Sequence, residues 1–206
     1  MKAYHTLVFG NSGSGKTTYL REMHDTFPDE TSGGISIWVN HNKESVPDGR
    51  GFDSATTVSD YQSLVNAVEA GYERINYHVP QDTGITHVRS VAYHVTSQPV
   101  QAIVDEAQNV LPDGQDDSEL AVGLHEDRDE GIKWVLATQD PSDLDYPPVK
   151  QCAFYVAVGE PSAFMEGFLR YFQIDRSSLP DSRFRYVVMD RQMEPVAQGK
   201  TQSRYA

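Results

Sequence analysis

Apolar residues in this chain fall in short β-branched or aromatic runs separated by stretches of helical period. Tyr4 to Phe9, Ile35 to Asn40, Arg74 to Val79, Pro99 to Val104, Ile132 to Thr138 and Ala153 to Val158 each read as a strand. Between them lie helical patterns. The first covers about Lys16 to Asp25. A second begins at a Ser59 or Asp60 cap, carries Tyr61, Leu64, Val65 and Val68 on one face, and stops at Gly71. Thr86 to Thr96 places Val88, Val91, Ala92 and Val95 together, and Ser118 to Arg128 and Ser162 to Phe172 complete the set. Pro28 to Gly34 and His41 to Gly51 are rich in turn formers and read as connections. Arg183 to Asp190 with Pro195 to Lys200 predicts a terminal β-hairpin. Strands that alternate with helices predict an α/β fold, a mostly parallel sheet covered on both faces. No repeat or linker interrupts the pattern, so residues 1–206 are expected to form a single domain.

Composition narrows the class. The hydrophobic share is 38% and the mean hydropathy is -0.52, and no apolar run is long enough to span a bilayer. The N-terminus reads as a strand, without signal-peptide architecture. The single cysteine, Cys152, excludes an internal disulfide and sits in an apolar run, where it reads as a small core residue. Net charge is -13, and six of the seventeen basic residues are lysine. Acidic stretches such as Asp113–Glu119 and Glu126–Glu130 look like solvated faces. Affinity for nucleic acid comes largely from neutralising phosphates, so this balance leaves two readings. Either the chain does not touch DNA, or it works in high salt, where surface charges are screened.

The chemistry is concentrated at three strand ends. Gly10-Asn11-Ser12-Gly13-Ser14-Gly15-Lys16-Thr17, followed by Thr18, fits the phosphate-binding loop G-x-x-x-x-G-K-[ST], with a strand before it and a helix after it. Glycines at 10, 13 and 15 allow consecutive backbone N–H groups to face a phosphate. Lys16 can reach the β/γ-phosphates, the Thr17 hydroxyl can bind Mg²⁺, and the helix N-terminus favours negative charge. These residues predict an ATP-type nucleotide site. Gln101 to Val104 runs into Asp105-Glu106. Carboxyl ends of parallel strands converge on the ligand crevice, which places Asp105 in the Mg²⁺ shell and Glu106 beside the attacking water. The plainer alternative for this pair is a solvated acidic turn. Ile132 to Thr138 leads to Gln139-Asp-Pro-Ser, where Gln139 either orients the water near the γ-phosphate or simply opens an Asp-Pro turn.

The segment Glu126-Asp-Arg128-Asp-Glu-Gly-Ile-Lys-Trp-Val-Leu-Ala-Thr-Gln139-Asp-Pro-Ser resembles the stretch that FtsK/HerA-type ATPases spell as Arg, a Gly-hydrophobic step, then L-A-T-Q-x-P-S. With the phosphate loop and Asp105-Glu106, three motifs of that superfamily stand in order over about two-thirds of the chain. The resemblance implies a RecA/FtsK-like P-loop NTPase fold and a homo-oligomeric ring, usually a hexamer, that pumps double-stranded DNA. It also implies active sites shared between subunits, with Arg128 as the residue that reaches into a neighbour's site. An exposed helix arginine paired with Glu126 or Asp127 is the other reading of Arg128. The short chain ending in a hairpin is similar to genome-packaging ATPases of membrane-containing icosahedral viruses. That likeness implies capsid or membrane-vertex partners, a place in the host cytoplasm or on the virion, and, given the acidic surface, a halophilic archaeal host. A nucleotide-driven assembly switch acting on a protein partner remains the alternative. The DNA-facing candidates are the loop His41 to Arg50, with Lys43 and Arg50, and the pair Arg183 and Arg185.

Overall fold

A computed structural model describes residues 4–40, 55–114 and 118–202. Its strands are β1 (Thr6–Phe9), β2 (Ile35–Asn40), β3 (Thr56–Val58), β4 (Arg74–His78), β5 (Val100–Val104), β6 (Ile132–Thr138), β7 (Phe154–Val158), β8 (Arg185–Met189) and β9 (Pro195–Lys200). They form one nine-stranded sheet in the order β3-β4-β2-β5-β6-β1-β7-β8-β9. Pairing is parallel from β3 across to β7 and antiparallel for β8 and β9, so the expected parallel sheet with a terminal hairpin is borne out.

The period of two along each strand sorts side chains between two cores. Leu7 and Phe9 of β1, with Trp134 and Leu136 of β6, face a large apolar cluster. That cluster is closed by α2 (Tyr61–Glu69), α3 (Gln81–His94), α4 (Glu119–Glu126) and α6 (Glu166–Tyr171). Val8, Val135 and Ala137 point the other way, under Leu20 of α1 (Lys16–Glu30). A one-turn helix, α5 (Tyr146–Val149), completes the helical elements. Every residue of β5 is buried, as the central strand of a sheet covered on both faces should be. Its one polar member, Gln101, donates to Ser36 Oγ at 3.0 Å and to the Met23 carbonyl at 3.1 Å. The same hydroxyl meets His24 Nδ1 at 2.8 Å, and burial lowers the His24 pKa to about 3. Cys152 is fully buried, and burial pushes its thiol up to about 12, in keeping with an inert core residue.

Several boundaries differ from the pattern reading. The first helix does not stop near Asp25 but continues through Pro28 to Glu30. Pro28 removes one N–H from the ladder, yet Phe27 is buried and its carbonyl is satisfied by the Thr31 hydroxyl at 2.6 Å, so the helix closes one turn later. α3 begins at Gln81, five residues before the expected Thr86. Its early turns contain Gly84, a weak helix former, but a Cβ there would strike Val39, so close packing against β2 supplies the reason for the glycine. β3 has three residues, too few for a period to show, and the helix expected from Ser162 is a 3-10 turn at Ala163–Met165 followed by α6. Asp60, not Ser59, caps α2 by accepting the Ser63 N–H at 2.9 Å. The loop candidates Lys43 and Arg50 lie outside the described residues. Among the described residues no helix is long and apolar enough to cross a membrane.

Candidate active site

β5, β6 and β1 are neighbours and run parallel, so their carboxyl ends open on the same edge of the sheet. The residues that follow them meet there. Ser12, Gly13, Gly15, Lys16, Thr17 and Thr18 line one cavity of about 290 Å³ with Asp105, Glu106 and Gln139. Gly10, Asn11 and Ser14 stand behind it. A Cβ on Gly10 would collide with the Val158 carbonyl at the end of β7, so the loop can lie this close only with glycine at that position. The Asn11 amide donates to the Glu160 carbonyl at 2.7 Å and ties the loop to the turn after β7.

Lys16 is 7% exposed and folds back on its own loop. Its ammonium donates to the Gly10 carbonyl at 2.5 Å and to the Asn11 carbonyl at 3.0 Å. Burial lowers its pKa, while Asp105 and then Glu106 act against that shift by favouring the charged form. An anion entering the cavity would find a cation already desolvated and two or three ångströms from backbone oxygens it can exchange for phosphate. The Ser14 hydroxyl is buried without a hydrogen-bond partner among the described residues.

Asp105 Oδ1 accepts the Glu106 N–H at 3.0 Å. Glu106 takes a left-handed conformation, φ 54°, which turns the chain sharply after β5 and starts a 3-10 turn at Ala107–Asn109. The buried Gln81, at the start of α3, donates its side-chain amide to the Asp105 carbonyl. The peptide between the two carboxylates is therefore held from outside the strand. Hard oxygen donors suit Mg²⁺, and the exposed Thr17 hydroxyl and the Asp105 carboxylate share the cavity, so the donor set fits that ion.

Arg128 is not in this cavity. It lies in the turn between α4 and β6, at the amino end of a seven-residue strand whose carboxyl end carries Gln139. At about 3.3 Å per residue that strand separates the two by roughly 20 Å. The Arg128 charge is felt by His5, just before β1, where burial first and Arg128 second lower the imidazole pKa to about 4. Its ion pair is with Asp129 at 3.8 Å. The partners that local spacing suggested, Glu126 and Asp127, are taken by Arg89 of α3, at 3.1 Å each.

Phe184 also lines the cavity, and the sequence pattern does not mark it. Its flanks, Arg183 and Arg185, are exposed on the phosphate-loop edge of the sheet. A polar hairpin start with one aromatic carries no local signal for such a role. Only the antiparallel return of β8 alongside β7 brings it there.

Residues 1–143 match the family described as AAA domain. The chain belongs to the AAA domain family. It is a P-loop nucleotide-binding ATPase domain. No curated protein matches it. Among solved structures, the genome-packaging NTPase B204 of Sulfolobus turreted icosahedral virus 2, in complex with ATP-gammaS, superposes with a TM-score of 0.75 at 13% identity, over 97% of this chain and 98% of that one. The DNA-packaging ATPase B204 from Sulfolobus turreted icosahedral virus gives 0.73 at 16% identity, over 98% and 100%. ATPases 2 and 3 of Thermomonospora curvata EccC give 0.57 at 14% identity, over 97% of this chain and 36% of that one. At these identities the likeness establishes the fold. The architecture expected from the three motifs, a short P-loop ATPase like viral packaging enzymes, is borne out at that level.

Proposed function

We propose that this chain, acting as one unit over residues 1–206, hydrolyses ATP to drive double-stranded DNA into a viral capsid as part of a homo-oligomeric ring. The observation that carries the reading is the split of the predicted machinery between two edges of one sheet. Lys16, Asp105, Glu106 and Gln139 share a cavity, whereas Arg128 stands at the far edge, out of reach of its own subunit's phosphates. Such a chain has an incomplete site alone and a complete one where a second copy offers Arg128 across an interface. Full-length likeness to two viral genome-packaging enzymes supports the same reading.

In the reaction the phosphate loop and Lys16 hold the β- and γ-phosphates, and Thr17 with Asp105 would hold Mg²⁺, which neutralises phosphate charge when bound. Gln139 orients a water. Glu106 accepts its proton as the water oxygen bonds to the γ-phosphorus and the bond to the β–γ bridging oxygen breaks, giving ADP and phosphate. The acidic, lysine-poor surface suits a halophilic host, because the screening length falls to about 3 Å at 1 M salt. Host cytoplasm and a capsid or membrane-vertex protein are the corresponding setting and partner.

The test is ATP turnover with and without double-stranded DNA, from about 0.1 M to several molar salt. DNA stimulation in some part of that range is expected. Its absence throughout would sink the DNA arm. A net charge of -13 favours a second reading, an assembly switch on a protein partner. That reading predicts stimulation by a capsid protein and none by DNA.

A further inference from the structure

Phe184 stands out among the residues of the nucleotide cavity. The other side chains there are polar or charged, or the residue is glycine, yet Phe184 is a large apolar ring with 41% of its surface exposed. Its backbone is in the left-handed region, φ 61°, a conformation that costs a bulky residue free energy and persists only when the surroundings impose it. Here they do. The Phe184 N–H donates to the Ser14 carbonyl of the phosphate loop at 2.8 Å, and its own carbonyl accepts the Thr201 N–H at 2.9 Å. The ring is pressed against the loop as well, because a Cβ on Gly15 would come within 2.8 Å of its Cδ1. The aromatic is thus fixed at the mouth of the phosphate cradle by two hydrogen bonds and a glycine that leaves room for it.

We infer that Phe184 is the nucleobase platform of this site, the surface on which the base of a bound nucleoside triphosphate stacks. The inference rests on the nucleotide reading given above and adds where the rest of the ligand goes. A cavity of about 290 Å³ lies just below the roughly 300–1,000 Å³ range of small-molecule pockets. Phosphates that fill its depth leave the base at its rim, where the ring is. Every base has a π-face, and stacking on an aromatic is tolerant of base identity, so the platform supplies affinity more than selection.

The experiment compares ATP with inorganic tripolyphosphate, which offers phosphates and no base, by calorimetric titration of the full chain with Mg²⁺. Phe184→Ala should weaken ATP binding by about 5- to 150-fold and leave tripolyphosphate within about twofold. Phe184→Trp keeps the platform. It should retain ATP binding, and its added indole emission should be quenched by ATP but not by tripolyphosphate. Equal losses for both ligands in Phe184→Ala would mean the ring merely shapes the loop, and undiminished ATP binding would place the base elsewhere. Either result overturns the platform while the nucleotide reading stands. A wild-type chain that binds neither ligand overturns both.

Discussion

Glu106 is the side chain at which backbone strain and chemistry coincide. A left-handed conformation costs a non-glycine residue roughly 1–2 kcal/mol, and here it is imposed by the Asp105 carboxylate on its N–H and by Gln81 on the preceding carbonyl. The turn this creates keeps Asp105 and Glu106 at one cavity instead of on opposite faces of an extended strand. Replacing Glu106 by Gln keeps size and turn but removes the proposed proton acceptor. ATP affinity should stay within a few-fold of wild type, while turnover falls by about 10²–10⁴. Binding by titration and phosphate release on the same preparation separate the two effects. A variant that still hydrolyses at the wild-type rate removes Glu106 as the group that activates water.

The turn that carries Arg128 is held by the packing of α3, α4 and β6 on one fully buried carboxylate. Asp127 accepts Arg89 Nε on both oxygens at 3.1 Å, the Tyr93 hydroxyl at 2.7 Å and Trp134 Nε1 at 2.9 Å. Arg89 in turn bridges to Glu119 and Glu126, and although burial lowers its pKa, Glu119, Asp127 and Tyr93 together outweigh that and raise it. Arg89→Met strands Asp127 as a buried, uncompensated charge. Urea unfolding should show a loss of about 3–5 kcal/mol, and Asp127→Asn added to it should recover part of that loss. A loss below about 1 kcal/mol would show the network to be dispensable. This cluster also marks the limit of what could be read from the chain. The phosphate loop, the carboxylate pair and Gln139 were legible because each is a local string at the end of an apolar run. The parallel sheet followed from strands alternating with helices. Arg89, Gln81 and Phe184 were not legible, because each acts on a partner that tertiary packing alone supplies. For the same reason Arg128 was offered local carboxylates that α3 had already taken.

Arg128 raises the question of how copies of the chain meet. In the proposed ring, a subunit with its arginine at the opposite sheet edge from its phosphate loop would meet its neighbour head to tail, the heterologous contact that sets unlike edges together. Such contacts close into a ring when the rotation permits. An arginine delivered to a phosphoryl group is worth about 10³–10⁵ in rate, so Arg128→Ala alone should be nearly inactive, as should Glu106→Gln. Mixing the two restores some sites. A subunit with Arg128→Ala keeps its glutamate, and a neighbour with Glu106→Gln keeps its arginine. With equal, random mixing the chance is one-half times one-half, so about one interface in four is complete and turnover should recover toward a quarter of wild type. If Arg128 served its own subunit or only braced the turn, no mixture could exceed the sum of its parts. Activity measured against mixing ratio, with assembly followed by light scattering, distinguishes these cases, since the recovered rate should peak at equal proportions only when the site is shared.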